Sequence, residues 1–146
     1  MPPFVDDPAF RLYALCSVIL GIKMHALGAY TGRVRKRRGY LVNAEDAKTY
    51  QGRKVATTEH PEVERVLRAH RNDLENIPMF WALGLIAVLV QAPLLGLQVS
   101  FIAFTVGRLV HSYAYVNELS PWRGYGYGLG LLAKLALMVM TLIRLF

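Results

Sequence analysis

The chain has 146 residues, of which 54% are hydrophobic, and its mean hydropathy is +0.30. It nevertheless carries a formal net charge of +7, from 17 basic and 10 acidic residues. The apolar content excludes an intrinsically disordered chain, the single cysteine (Cys16) excludes a disulfide scaffold, and the length argues for one domain. A soluble domain of this size needs more polar surface than this composition supplies, so the sequence predicts a membrane protein.

The first predicted helix covers residues 8–37 and contains the apolar segment 10–30. Asp7-Pro8 has the form of an N-cap followed by a first helical residue. Two acidic residues, Asp6 and Asp7, precede the apolar segment where a secretory signal would be basic, and no clear small-x-small cleavage site follows it. We therefore expect this segment to be a retained membrane helix.

The middle of the chain contains no Asp, Glu, Lys or Arg across the 32 residues 76–107. As one helix these residues would span about 48 Å, whereas the core of a bilayer is about 30 Å thick. Gln91-Ala92-Pro93 splits the stretch, because proline disrupts a helix interior. The sequence predicts helices over about 61–91, 95–118 and 121–145. Together with 8–37 they form an all-α integral membrane fold, a four-transmembrane-helix bundle in a single domain, 1–146.

Basic residues are concentrated between positions 31 and 72, which hold 11 of the 17. The positive-inside rule places the basic loop 38–60 in the cytoplasm and both termini on the opposite side. The run at 33–38 has two interpretations, a topology anchor or a nucleic-acid patch. The apolar helices on both sides favour the anchor, with no nucleic-acid partner, and the run also attracts anionic lipid head groups.

Three basic residues interrupt the apolar helices: Lys23, Arg108 and Lys134. A lone basic side chain at the bilayer centre costs about 2.5–3.5 kcal/mol. We expect Lys23 to extend towards the nearby cytoplasmic interface and Lys134 to face either the bundle or an interface. Arg108 begins a polar face that continues one and two turns later with His111, Ser112 and Tyr115.

The second helix begins with a polar segment, 64–75, in an otherwise apolar helix. Exposed ion pairs four residues apart explain Glu64 with Arg68 and Arg71 with Glu75. They do not explain why polar residues continue into the membrane region, because unpaired buried charges are costly. We therefore expect the second and third helices to share a polar, water-accessible interior at their cytoplasmic ends.

The fourth helix carries glycines at 124, 126, 128 and 130. A phosphate-binding loop is disfavoured, because no strand precedes the segment and the spacing is not G-x-G-x-x-G. Gly124/Gly128 and Gly126/Gly130 instead form small-xxx-small pairs, which let membrane helices approach closely. Arg123 and Tyr127 share a face in the first turns of this helix.

Metal and serine-hydrolase chemistry find little support in the sequence. The four histidines lack H-x-x-x-H and H-E-x-x-H spacing, and Ser112 has no G-x-S-x-G setting. We expect no metal.

The cytoplasmic ends of the helices instead gather residues that suit a small anionic ligand carrying one amine, because arginines bind carboxylates and a glutamate can bind an ammonium group. These residues are Arg35, Arg68, Arg71, Asn72, Glu75, Arg108, His111, Tyr115, Arg123 and Tyr127.

The segment V-E-R-V-L-R-A-H-R-N-D-L-E-N at 63–76 closely resembles the E-R-x-x-R-A-H-x-N-D-x-E signature of the MAPEG family, membrane-associated proteins in eicosanoid and glutathione metabolism. Further matches lie along the whole chain, at 22–24, 31–35, 43–46, 106–111 and 114–115. The chain most resembles the branch that contains microsomal prostaglandin E synthase and microsomal glutathione transferase.

The resemblance implies a homotrimer that binds glutathione as a cosubstrate between subunits, at a site facing the cytoplasm. The implied membrane is the endoplasmic reticulum for a eukaryotic source and the inner membrane for a bacterial one. The implied catalytic pair is Arg123, which stabilises the thiolate, and Tyr127. The implied glutathione-binding residues are Arg35, Arg71, Asn72, Glu75, His111, Tyr115, Arg123 and Tyr127, with Asp46, Arg68, Arg108 and Ser112 as supporting residues.

One position departs from the pattern of the resembling branch. Prostaglandin E synthases have a serine directly after the arginine of the fourth helix, and here that residue is Gly124. The departure favours a transferase or peroxidase that acts on lipophilic electrophiles or lipid hydroperoxides. The alternatives are a prostaglandin-E-synthase-like isomerase and a non-catalytic lipid-binding scaffold of the same fold.

Overall fold

The computed structural model describes residues 3–49 and 55–146. A 3₁₀ turn at Pro3–Asp6 precedes five α-helices: α1 Pro8–Arg38, α2 Ala44–Thr49, α3 Pro61–Leu89, α4 Leu94–Val116 and α5 Ser120–Leu145. Among the described residues, β-structure is limited to one isolated bridge between Leu41 and Val55. The predicted loop 38–60 differs from expectation because it contains the short helix α2. Its residues 50–54, including the basic Arg53 and Lys54, lie outside the described residues.

The helix starts follow from local side-chain chemistry. The Asp7 carboxylate accepts hydrogen bonds from the backbone N–H groups of Ala9 (2.7 Å) and Phe10 (3.3 Å), which confirms the predicted cap of α1. At α3 the cap is His60, whose Nδ1 accepts from the Glu62 N–H at 3.2 Å. At α5 the capping position is Leu119, which makes no side-chain cap hydrogen bond, and Ser120 is already the first helical residue.

Three of the helices, α1, α4 and α5, are long and apolar enough to cross a membrane. Much of their surface is apolar and exposed, including Ile22, Leu95, Leu132 and Ile143. Such a surface would be unstable in water but suits contact with acyl chains. Helix α3 has 29 residues, yet its first half holds the polar segment, which lowers its mean hydropathy.

The core lies where α1, α3 and α4 meet, and aromatic rings fill it. Phe80 of α3 stacks on Phe104 of α4, with ring centroids 4.1 Å apart and planes 4° from parallel. Phe101 packs edge-on against Phe80 at 5.8 Å, and Tyr13 of α1 lies 5.7 Å from Phe101. This apolar layer holds the three helices together directly beside the polar groups described below.

Helices α4 and α5 approach each other closely through glycine. A Cβ atom added to Gly126 would lie 2.7 Å from the Gly107 carbonyl oxygen and 2.7 Å from the His111 backbone nitrogen. Gly130 also faces α4, where an added Cβ would contact the Arg108 side chain at 3.7 Å. The predicted packing role of Gly126 and Gly130 is therefore confirmed. Gly124 and Gly128 have no described atom within 4 Å of an added Cβ, so this chain alone gives them no close helix contact.

Because the atoms facing Gly126 belong to backbone, Gly126→Ala is expected to force α4 and α5 apart and to destabilise the protein by about 1–3 kcal/mol. Gly128→Ala is the matched control: it adds the same methyl group to the same helix in open space, where alanine has the higher helix propensity. Unfolding in detergent, followed by circular dichroism, measures both. Equal stability of the two variants would contradict the packing role of Gly126.

Candidate functional site

A buried ionic cluster, formed by Lys23, Asp73, Arg108 and Ser112, joins α1, α3 and α4. The Asp73 carboxylate is fully buried and accepts a hydrogen bond from Lys23 Nζ at 2.5 Å. Arg108 donates to it through Nε, at 3.1 Å, and through a second guanidinium nitrogen. Ser112 Oγ donates at 3.3 Å. The Asp73 carboxylate of α3 thus accepts hydrogen bonds from side chains of two other helices, α1 and α4.

The expected position of Lys23 was wrong. Its side chain is only 9% exposed, so it turns into the bundle instead of extending towards the interface. There it pairs with the Asp73 carboxylate, which offsets part of the cost of burying the ammonium charge. Lys134 faces the bundle as predicted, and its Nζ donates to Asn76 Oδ1 at 2.6 Å. Neither partner, Asp73 for Lys23 or Asn76 for Lys134, follows from the sequence pattern alone.

Asp73 is the residue that sequence reasoning missed, although a signal for it exists. It lies on a stripe of α3 that is otherwise apolar, between Ala69 and Ile77, at helical spacing. All three residues are 0% exposed. A single acid on a buried apolar stripe predicts an internal ion pair, because a buried carboxylate without a partner is costly.

Four of the predicted site residues meet where α4 ends and α5 begins. The His111 ring is buried and lies 5.5 Å from Tyr115 and 6.3 Å from Tyr127 between ring centroids. The Arg123 guanidinium lies over the Tyr115 ring, 4.9 Å from its centroid, which is cation–π geometry. Arg123 and Tyr127 are exposed, so a cation and a phenol are available to a ligand beside a buried imidazole. The close Gly126 crossing holds this group together.

The other predicted residues lie on α1 and α3. Arg35 is half-buried and pairs with Glu59. Asn72 is half-buried on α3, whereas Arg71 and Glu75 are exposed. Arg71 and Glu75 form no ion pair with each other among the described residues, which differs from the pairing expected four residues apart.

The supporting residues differ in their surroundings. Arg68 is exposed and pairs with Glu64 at 3.4 Å, as expected for residues four apart. Asp46, on α2, is exposed and accepts a hydrogen bond from Asn43 at 3.1 Å. Arg108 and Ser112 are buried in the ionic cluster, where both donate hydrogen bonds to Asp73. The structure therefore separates the supporting residues into an outer pair and an inner pair.

Ion pairs fasten the end of α1 to the start of α3. Glu62 pairs with Arg37 and with Arg38, the latter at 2.6 Å. The hydrogen bond from Arg38 holds the pKa of the Glu62 carboxyl below its usual value. This contact therefore persists at neutral pH and is lost only as the pH falls through that lowered pKa. The same end of α1 carries Arg35, which pairs with Glu59 just before α3 begins.

Several buried polar atoms in this region lack a hydrogen-bond partner within the described residues. Three of them belong to predicted glutathione-binding residues: Arg35 Nε, Asn72 Oδ1 and His111 Nδ1. Most buried polar atoms in proteins have a hydrogen-bond partner, so these three atoms are available to a ligand or to water. Five other described side chains also have such an atom: Ser17, Glu59, Trp81, Thr105 and Thr141. No group of His, Cys, Asp and Glu with metal-binding geometry occurs in residues 3–49 and 55–146.

The fold and this site define a class: a helical membrane protein with a polar, arginine-rich site at the ends of its helices. A model of the MAPEG family matches residues 13–143, and the chain belongs to this family. The predicted resemblance is thereby confirmed. Family membership and the apolar helices together make the chain an integral membrane protein.

Characterised relatives are similar along nearly the whole chain. Prostaglandin E synthase of Equus caballus is 38% identical over 147 residues, which cover 96% of this chain and 95% of the relative. The Homo sapiens prostaglandin E synthase is 37% identical over 139 residues, with 93% and 91% covered. Microsomal glutathione S-transferase 1 of Sus scrofa is 33% identical over 131 residues, with 86% and 84% covered.

Proposed function

We propose that the protein is a membrane-embedded, glutathione-dependent transferase that also acts as a peroxidase on lipid hydroperoxides. It would activate the glutathione thiol as a thiolate for attack on lipophilic electrophiles. The observation that carries the proposal is the set of three unpaired buried polar atoms, on Arg35, Asn72 and His111, among residues predicted to bind glutathione. Its relatives include an enzyme named as a glutathione transferase, which supports the same conclusion.

Each side chain has a role that follows from its charge. Arg35 and Arg71 bind the two glutathione carboxylates, and Glu75 binds the ammonium group. Asn72, His111 and Tyr115 complete the binding site with amide, imidazole and phenol groups. Arg123 and Tyr127, both exposed on α5, face the sulfur atom. Asp46 and Arg68 support the outer rim, while Arg108 and Ser112 support α4 from the ionic cluster.

Arg123 has enough electrostatic strength for the proposed step. A cysteine thiol has a pKa of about 8.5, so its pKa must fall by about 2 units to be mostly thiolate near neutral pH. That shift corresponds to about 2.7 kcal/mol. A hydrogen bond to a charged group contributes about 1.5–3 kcal/mol, so Arg123 with help from Tyr127 is sufficient.

The proposed assembly is a homotrimer of four-transmembrane-helix subunits, with α3 as the fourth membrane helix and the sites facing the cytoplasm. Within one subunit Arg71, Glu75, Arg123 and Tyr127 are exposed, which leaves them available to a ligand bound between neighbouring subunits. The host membrane is the endoplasmic reticulum in a eukaryote or the inner membrane in a bacterium. The bilayer supplies the lipophilic second substrate, and the basic run at 33–38 marks the cytoplasmic side of the membrane, with no nucleic-acid partner.

Calorimetric titration of glutathione into the purified protein tests the proposal. We expect saturable binding, and we expect Glu75→Gln to weaken it by about tenfold or more, because it removes a charge-assisted hydrogen bond. Glu64→Gln is the control: it makes the same change on the same face of α3, three turns away. Absence of saturable binding to the wild-type protein would support the alternative of a non-catalytic lipid-binding scaffold.

Prostaglandin E synthesis is the second candidate function. It is favoured by the 38% identity to a prostaglandin E synthase along the whole chain. Gly124, at the position where that branch has serine, argues against it, because glycine offers no hydroxyl beside Arg123. Measuring prostaglandin E synthesis and glutathione conjugation of an electrophilic nitrobenzene in the same preparation distinguishes the two candidates.

A further inference from the structure

A groove of about 520 Å³ lies between α1 and α4, on a part of the surface that the proposed glutathione site does not use. Its mouth is at the cytoplasmic ends of both helices, where Tyr30, Arg33 and Asn117 line it. Its deep end reaches Lys23 and Ser112. Ten residues separate Lys23 from Arg33, so the groove extends about 15 Å along α1.

The charges of the groove differ between its two ends. At the deep end, the Lys23 ammonium and the Ser112 hydroxyl are both engaged by Asp73. At the mouth, Arg33 is exposed and pairs with no carboxylate in the described part of the chain. The groove therefore offers an anion one available cation, and that cation lies at the membrane surface.

The walls of the groove are mostly apolar. They include Ala26 of α1 and Leu109 and Val116 of α4. Beyond its deep end each helix continues with exposed apolar residues on one face. They are Leu15, Val18 and Ile22 on α1 and Ile102 and Val106 on α4. An occupant with a long apolar part can thus extend from the groove along a continuous apolar surface into the bilayer.

We propose that this groove binds an anionic phospholipid, with its phosphate on Arg33 and an acyl chain between α1 and α4. The positions of the donors set the orientation: among the described lining residues Arg33 is the exposed cation at the surface, whereas Lys23 and Ser112 at the deep end already donate to Asp73. Basic pockets between membrane helices on the cytoplasmic side are typical sites for anionic head groups. This site is independent of glutathione and of the proposed reaction.

Native mass spectrometry of the detergent-purified protein tests the site. The protein is titrated with phosphatidylglycerol and with phosphatidylcholine that carry the same acyl chains. We expect the wild type to prefer phosphatidylglycerol, and Arg33→Gln to reduce that preference by about fivefold. Arg37→Gln is the matched control, because it removes the same charge from the same helix but at a residue that pairs with Glu62. We expect this variant to keep the preference.

A second variant tests the acyl part of the site. Ala26→Trp places a bulky side chain in the groove and should reduce the binding of both lipids, while leaving glutathione titration unchanged. The proposal is overturned if Arg33→Gln keeps the wild-type preference, or if Arg37→Gln loses as much of it. It is also overturned if Leu109→Cys, in a Cys16→Ser background, forms disulfides between subunits, since the groove would then be covered by a second copy.

Discussion

Replacing Asp73 with asparagine is expected to destabilise the protein by about 3 kcal/mol. Asparagine has nearly the same shape but no charge, so Lys23 and Arg108 would remain buried without a counter-charge. Removing one partner of a buried ion pair costs about 3–5 kcal/mol in soluble proteins, and a lone basic residue in a membrane costs about 2.5–3.5 kcal/mol. Unfolding of the protein in mixed micelles, as the fraction of denaturing detergent rises, measures the loss.

Two further variants make this result specific. Asp6→Asn removes a carboxylate whose ion pair with Arg11 is exposed, and it should change stability by less than 1 kcal/mol. The double variant Asp73→Asn with Arg108→Gln also removes the Arg108 charge, so of the two cations only Lys23 remains buried without a counter-charge. Its destabilisation should therefore be smaller than the sum of the two single changes. Simple additivity of the two changes would show that the Asp73–Arg108 contact contributes little.

Arg123→Ala is expected to lower glutathione conjugation of a chlorinated nitrobenzene by about 100-fold, because the proposed role of Arg123 is to stabilise the thiolate. Peroxide reduction should fall with it, since both reactions begin from the thiolate. The pH dependence provides a sharper readout. Activity of the variant should rise steeply towards pH 8.5, the range in which a free thiol ionises, while the wild type should already be near its maximum at neutral pH.

The controls for Arg123 separate charge from structure. Arg144→Ala makes the same change at the far end of α5, where Arg144 donates to the Gln91 carbonyl oxygen, and should leave turnover unchanged. Arg123→Lys keeps the charge without the planar guanidinium and should recover part of the activity. Wild-type turnover in Arg123→Ala would rule out the assigned role, whatever its effect on stability.

Together these experiments separate two uses of positive charge in the protein. Lys23 and Arg108 are buried and serve the helix packing, since their charges meet Asp73. Arg71 and Arg123 are exposed, and their charges are available to a ligand. Substitution of Lys23 or Arg108 should mainly lower stability. Substitution of Arg71 or Arg123 should lower activity and leave stability unchanged.

The sequence alone determined the features that depend on neighbours along the chain. The Asp7 cap, the break near Pro93 and the apolar helices follow from backbone chemistry and hydropathy, which act over a few residues. The motif at 63–76 identified the family, because a match of that length is specific. The face shared by His111 and Tyr115 also follows from helical spacing alone.

Tertiary structure decided which helix faces meet. Asp73 contacts Lys23 and Arg108 across 50 and 35 residues of sequence, and Gly126 packs on α4 while Gly128 does not. Such pairings depend on how each helix is rotated about its axis, and the packing of all the helices together sets that rotation. Local sequence therefore predicted Lys23 at the membrane surface, whereas the complete bundle offers it a buried carboxylate.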